Sequence, residues 1–247
     1  MLMTDANFLK AHQSPLPFRG NKPAGKMISF STPDGKIGHA YLVEPVQSTD
    51  RYLVVFHEWW GLNDYIRHIC DSLRTALGTI RVIAPDLFDG KVATNPKDAA
   101  RYSGAVTDAR AKAIIEGVLG YAGPRARVFT IGWCFGGGWS LQASLLAGTR
   151  AAGCVMYYGM PEKDITRLKT LHADVLGIFA NRDQWINPGV VDQFVADMKK
   201  AGKHLEVHRY DADHGFANPS SPVHNEAATR SAYRYTLAFL KARLPKP

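Results

Sequence analysis

The sequence is short of cysteine: Cys70, Cys134 and Cys154 are the only three in 247 residues, an odd number at wide spacing. That spacing excludes a disulfide framework and a cysteine-based zinc site as the basis of the fold. No stretch approaches the roughly 18 consecutive apolar residues of a membrane-spanning helix. The first twenty residues carry Asp5 and prolines instead of a basic start and an apolar run, so no signal peptide is read there and the expected location is cytoplasmic. Dense basic blocks are missing too. Lys and Arg outnumber Asp and Glu by 30 to 22, a net +8, but they are scattered in groups no longer than Lys199-Lys200. A scattered excess describes a solvated surface that suits small anions and leaves no nucleic-acid footprint. The expected partners are small molecules, with no nucleic acid and no membrane, for a monomer or small homo-oligomer.

What is present is core-forming material, with a hydrophobic fraction of 46% that supports one large domain. Residues 1–26, rich in Pro, Gly and polar residues, are expected to form an N-terminal arm. Met27–Thr32 and Ile37–Glu44 flank Asp34-Gly35 and predict a β-hairpin. Arg51–Glu58 is a continuous apolar run of the kind buried on both faces of a parallel sheet. A helix is predicted from the N-cap Asn63, with Ile66, Ile69, Leu73 and Leu77 on one face before Gly78. The alternation then continues. Strands are predicted at Ile80–Asp86, Arg127–Gly132, Ala152–Gly159, Asp174–Ala180 and Leu205–Tyr210. Helices are predicted around Lys97–Tyr121, through Leu141–Ala147, over Pro188–Ala201 and near Asn225–Leu240. The fold class is α/β: a single three-layer domain over residues 27–247, with a mostly parallel twisted sheet opened by an antiparallel hairpin.

Ligands of such sheets bind at the carboxyl ends of the strands. There the chain reads Gly132-Trp133-Cys134-Phe135-Gly136-Gly137-Gly138. The glycines match neither the dinucleotide spacing G-x-G-x-x-G nor the P-loop, and no Lys-Ser/Thr pair follows. They do match a nucleophile elbow, G-x-C-x-G, between a strand and a helix. A packed, inert thiol is the plain alternative. An elbow that works requires an acid and then a histidine later in the chain, each just past a strand. Asp183 follows Asp174–Ala180, and His214 follows Leu205–Tyr210. Asp211 and Asp213, on the histidine's loop, read as solvated. In this arrangement Cys134 attacks a carbonyl carbon, His214 carries the proton and Asp183 orients the imidazole. The N–H of Phe135 is the first oxyanion donor, and the N–H of Trp59, in the loop after Arg51–Glu58, is the candidate second. Glu58 is either an exposed loop acid or a carboxylate that faces the cysteine and tunes its protonation.

Taken together, "HEWWGLN" around Glu58, "APDLF" at Ala84–Phe88, "GWCFGGG", "NRD" ending at Asp183 and "HGF" starting at His214 resemble the dienelactone hydrolase family of the α/β-hydrolases. The resemblance covers roughly Ile28 to Leu240. It implies the α/β-hydrolase fold and a Cys134-His214-Asp183 triad. It also implies a resting pairing of Glu58 with the cysteine that substrate binding releases. The implied activity is hydrolysis of a small lactone or ester without cofactor or metal. Trp60, Phe135 and Trp185, together with Trp59, are expected to line an aromatic pocket. The family anchors a substrate carboxylate through an arginine four residues after the histidine; here that position is Asn218, and Gly215 replaces the serine after the histidine. Arg101, with Tyr102 beside it, is either the counterpart of a second family arginine or an exposed helix arginine. A carboxylesterase or thioesterase with a different pocket, and a ligand-binding homologue without turnover, stand as the alternatives. Cys70 and Cys154 are expected to be ordinary packed thiols.

Overall fold

Gly35 adopts φ 77° in the tight turn signalled by Asp34-Gly35, a left-handed conformation that costs glycine little. The strands it joins, β1 (Lys26–Ser31) and β2 (Ile37–Val43), pair antiparallel with Phe30 opposite Gly38. The computed structural model describes Phe8, Leu9 and residues 12–244. The arm expected over residues 1–26 lies partly outside the described residues, and residues 12–25 carry neither helix nor strand. The chain divides into two compact units. One runs to Ala126 and takes in Ser220–Pro222; the other comprises Arg127–Pro219 and the chain from Val223 onward.

The first unit adds β3 (Arg51–Phe56) and β4 (Arg81–Pro85), in the order β1-β2-β4-β3. β2 meets β4 antiparallel, and β3 meets β4 parallel with Leu53 opposite Val82. Every β3 residue after Arg51 is buried, as its unbroken apolar run requires. Helix α1 (Asp64–Leu77) starts where Asn63 caps it, the Asn63 side chain accepting from Ile66 N–H at 3.1 Å, and stops at Gly78. Its buried stripe is Ile66, Cys70, Leu73 and Leu77. Cys70 takes the place expected for Ile69, which is half-buried. The single helical region expected around Lys97–Tyr121 is in fact two helices, α2 (Pro96–Ala105) and α3 (Asp108–Ala122). Thr107 breaks it: its extended backbone and its side chain, accepting from Arg110 N–H at 3.2 Å, start a new helix.

The second unit is a parallel run, β5 (Arg127–Trp133), β6 (Ala151–Tyr157), β7 (Val175–Ala180) and β8 (Leu205–Tyr210), in that spatial order. The register sets Trp133 beside Tyr157, Tyr157 beside Ile178 and Ala180 beside Tyr210. All four strands therefore end at one edge, and the residues that follow them emerge together. Phe129, Ile131, Val155, Met156, Leu176 and Ile178 are fully buried along the strands. Side chains of this size stabilise the fold by about 1.5–3 kcal/mol each when removed from water. The connecting helices are α4 (Phe135–Ala147), α5 (Ile165–Lys169), α6 (Pro188–Lys200) and α7 (Glu226–Arg243). Helix α4 lies close against the end of β6. A Cβ on Gly159 would stand 2.4 Å from the Gly137 carbonyl carbon and the Gly138 nitrogen, so only glycine permits the approach.

Candidate active site

Cys134 occupies the one-residue gap between β5 and α4, with φ 54° and ψ −118°. A positive φ is costly for a residue with a side chain, and such strain concentrates at functional positions. Two features hold it. The Cys134 N–H donates to the Tyr157 carbonyl at 3.0 Å, and its own carbonyl accepts from Gly137 N–H at 3.0 Å. The turn also closes tightly enough that a Cβ on Gly132 would stand 2.1 Å from the Gly136 oxygen. The sulfur thus lies at the amino end of a thirteen-residue helix, whose dipole favours a thiolate. Phe135, half-buried, is the first residue of that helix, so its N–H stands among the helix's amino-terminal donors.

Two loops away, Asp183 lies three residues beyond β7 with its side chain fully buried. One carboxylate oxygen accepts from the N–H groups of Trp185 (2.8 Å) and Ile186 (2.9 Å), and the other lies 2.5 Å from His214 Nδ1. Burial alone would push this carboxyl up. The hydrogen bond and charge of His214, reinforced by the Ile186 and Trp185 N–H groups, outweigh it and hold the pKa below the usual value.

His214 closes the set. Its Nε2 is 3.1 Å from Cys134 Sγ. Burial works against an imidazolium here, but the charge on the sulfur and the hydrogen bonds and charge of Asp183 and Cys134 raise the pKa to about 10. The ring packs beside Tyr158, centroids 5.0 Å apart, and meets Trp185 edge-on at 6.0 Å. The three residues chosen from their places after strands therefore stand in contiguous hydrogen-bonding order, with the Asp183 side chain fully buried and the His214 ring beside those of Tyr158 and Trp185.

The remaining candidates divide between the units. Trp185 stands by the imidazole, and Asn218 is half-buried on the His214 loop, its N–H donating to the Gly215 carbonyl at 3.0 Å. Glu58, Trp59 and Trp60 belong to the first unit. All three are buried, Glu58 at 7% exposure, so it is no exposed loop acid. The Trp59 and Trp60 rings lie 4.8 Å apart, and Phe8 meets Trp59 edge-on at 5.0 Å. Arg101 is 66% exposed on α2, 2.8 Å from Asp98, and lies over the Tyr102 ring at 4.8 Å.

Two neighbours escape sequence reasoning. His57, fully buried, donates from Nδ1 to the Glu58 carbonyl at 2.6 Å and accepts at Nε2 from Leu87 N–H at 3.1 Å. This neutral imidazole, its pKa lowered by burial, ties the loop after β3 to the loop after β4. A histidine ending an apolar strand beside a glutamate is the available signal. Tyr158, fully buried, has φ 35° with nothing in its residue type to announce it. The backbone donors to Asp183 were legible in principle, because an Asp with its acceptor two and three residues upstream of two N–H groups is a familiar turn.

A model of the dienelactone hydrolase family matches residues 39–244. Among relatives, the chain is 27% identical over 234 residues to "Protein usf" of Aquifex pyrophilus, covering 89% of this chain and 99% of that one. It is 27% identical over 225 residues to the carboxymethylenebutenolidase of Pseudomonas sp. strain P51, covering 85% and 92%. Among solved structures, it is similar to a dienelactone hydrolase-like promiscuous phosphotriesterase from metagenomic libraries. That similarity has a TM-score of 0.71 at 16% identity and covers 90% of this chain and 100% of the other. The likeness agrees with the α/β fold expected from the sequence, mostly parallel with an antiparallel opening pair. Among the described residues, no helix is long and apolar enough to cross a membrane.

Proposed function

The chain belongs to the dienelactone hydrolase family, hydrolases of esters or lactones, and from that premise we propose that it cleaves a small lactone or carboxylic ester through Cys134, His214 and Asp183. The observation that carries the proposal is the unbroken set of contacts from Asp183 to His214 at 2.5 Å and from His214 to Cys134 at 3.1 Å, ending on a left-handed elbow.

The Cys134 thiolate attacks the carbonyl carbon, and the carbonyl π electrons move onto oxygen, where the Phe135 and Trp59 N–H groups receive the charge. As the tetrahedral adduct collapses, the C–O bond breaks and the leaving oxygen takes the proton from His214 Nε2. In a lactone that hydroxyl stays tethered to the acyl-thiol. Water then gives a proton to Nε2 and attacks the thioester carbon; collapse expels the thiolate and releases the acid. Asp183 keeps the imidazole oriented and stabilises its cation throughout. Glu58 pairs with the thiol in the resting protein and withdraws when substrate enters. The thiol proton then passes to His214 Nε2, 3.1 Å away, and is the proton that the leaving oxygen later takes. Trp60 and Trp185 line the acyl pocket. Neither cofactor nor metal is needed.

Two observations favour an uncharged ester over a carboxylate-bearing lactone. Arg101 is matched by Asp98 at 2.8 Å, and Asn218 stands where the family's anchoring arginine is expected. A hydrolysis screen of lactones and of charged and uncharged esters tests the proposal, with Cys134→Ala as control. Turnover by wild type that Cys134→Ala loses supports it. Turnover that survives removes the cysteine mechanism, and no turnover of any member points to a ligand-binding homologue.

A further inference from the structure

The acid and the base of the candidate triad reach the site from two different loops, and the 2.5 Å bond between them depends on how those loops are held together. One side chain spans the gap. Arg182, the residue before Asp183, sends Nη1 to Asp211 at 2.7 Å, and Nε and Nη2 to the two oxygens of Asp213 at 3.2 and 3.4 Å. Its backbone N–H donates to the Ala212 carbonyl at 3.1 Å, and one residue earlier Asn181 N–H donates to the Tyr210 carbonyl at 2.8 Å. Arg182 therefore grips each of the three residues that lead into His214. The planar guanidinium supplies two parallel donors to one carboxylate and a third to another, a geometry that lysine cannot copy.

As a source of stability the cluster is poor. Arg182 is half exposed, Asp211 82% and Asp213 48% exposed, and ion pairs in that setting contribute little to folding. Its position is what matters: it bridges the residues on either side of the acid–base pair. We propose that Arg182 is a positioning residue, a clamp that fixes the His214 loop against the Asp183 loop and so sets the imidazole's approach to Cys134. The inference rests on the triad reading given above.

The test is steady-state hydrolysis of whichever ester or lactone the wild type turns over, measured for Arg182→Gln, Arg182→Lys, Asp213→Asn and the Arg182→Gln/Asp213→Asn double variant. All of these keep the 182 N–H to Ala212 contact. A misplacement of about 1 Å costs up to roughly a hundredfold in rate, so Arg182→Gln is expected to lower kcat on the order of tenfold with KM unchanged. Arg182→Lys is expected to be intermediate, and the double variant no worse than Arg182→Gln, because both substitutions break the same contact. The far-downfield proton resonance of the His214–Asp183 bond should weaken in Arg182→Gln, while Tm stays near that of wild type. High salt should lower wild-type kcat toward the Arg182→Gln value and leave that variant unchanged. The clamp is overturned if Arg182→Gln keeps kcat within about twofold and the proton resonance unshifted, or if its loss adds fully to that of Asp213→Asn. Should Arg182→Gln fail to fold, the Arg182→Lys and Asp213→Asn values decide in the same way. If Cys134→Ala retains turnover, the triad reading itself has failed. If Cys134→Ala is silent while Arg182→Gln is fully active, only the clamp has.

Discussion

Two cysteines of the second unit sit about as deep as each other and differ in almost everything else. Cys154 lies inside β6 with no exposure, its sulfur 3.6 Å from Ser140 Oγ, and burial pushes its thiol up to about 11. Cys134, at 5% exposure, stands on a left-handed turn at the amino end of α4 and 3.1 Å from an imidazole. Burial silences a thiol by penalising its anion. A helix terminus and a partner cation oppose that penalty, and the backbone decides which cysteine has them beside it. Cys70, buried on α1 and likewise pushed well up by burial, follows Cys154.

The largest break in this comparison is substitution. Cys134→Ala should abolish hydrolysis, a loss on the order of 10⁴-fold or more for a triad nucleophile, whereas Cys154→Ala and Cys70→Ala should stay within about twofold of wild type. Equal losses at Cys134 and Cys154, measured as kcat/KM on the same substrate, would erase the distinction. Next is Asp183→Asn, which keeps the shape but not the charge beside His214. A loss on the order of 10³–10⁴ is expected from the wrong tautomer; a loss below tenfold would mean that the acid is structural.

A smaller effect concerns Glu58. Iodoacetamide should modify Cys134 ahead of the other two thiols in the folded protein, as read by peptide mass mapping. If Glu58 has the gating role proposed for it, Glu58→Gln should shift the pH profile of that reaction, on the order of one pH unit. Superimposable profiles would remove the gate while leaving the triad untouched.

How much of this was legible in sequence differs between the two units. In the second, apolar runs mark β5 to β8, and the residues just past them, Cys134, Asp183 and His214, are those the structure joins. The strand is the reason: it both announces itself by hydrophobicity and delivers the next residue to the ligand edge. In the first unit the local signals were weaker than the tertiary ones. The break at Thr107 was hidden in a helical composition, and Cys70 displaced Ile69 because the choice of helix face is made by packing. Tyr158's left-handed backbone and the Arg182 clamp were invisible, since each depends on residues distant in sequence and meeting only in the fold.

The pH dependence of stability should also separate the two cysteines. His214 has its pKa raised from 6.5 to about 10 in the folded protein, with the Cys134 sulfur and Asp183 as the favourable causes. A raised pKa means that the folded state binds the proton more tightly. The resulting stability is fully present below the unfolded value near 6.5 and is lost as pH rises through about 10. Urea midpoints of wild type should therefore fall across that window, and His214→Gln should flatten the slope. Cys134→Ala should flatten it in part, by removing the sulfur that His214 Nε2 meets at 3.1 Å. An unchanged slope in His214→Gln would show that the imidazole does not titrate there.

Smallest of all is the expected cost of removing the buried sulfur inside β6. Cys154→Ala deletes one heavy atom from a fully buried site. Ser140 Oγ, 2.8 Å from the Val155 carbonyl to which it donates and 3.0 Å from Thr130 Oγ1, keeps both partners and leaves no polar group stranded. Only the lost packing remains, about 1 kcal/mol for a cavity of that size. Urea unfolding at neutral pH should show that decrease beside unchanged kcat/KM. A loss of activity larger than the loss of stability would mean that β6 transmits its packing to the elbow through the Tyr157 carbonyl, which holds the Cys134 N–H at 3.0 Å, and that the two cysteines are less separate than their chemistry.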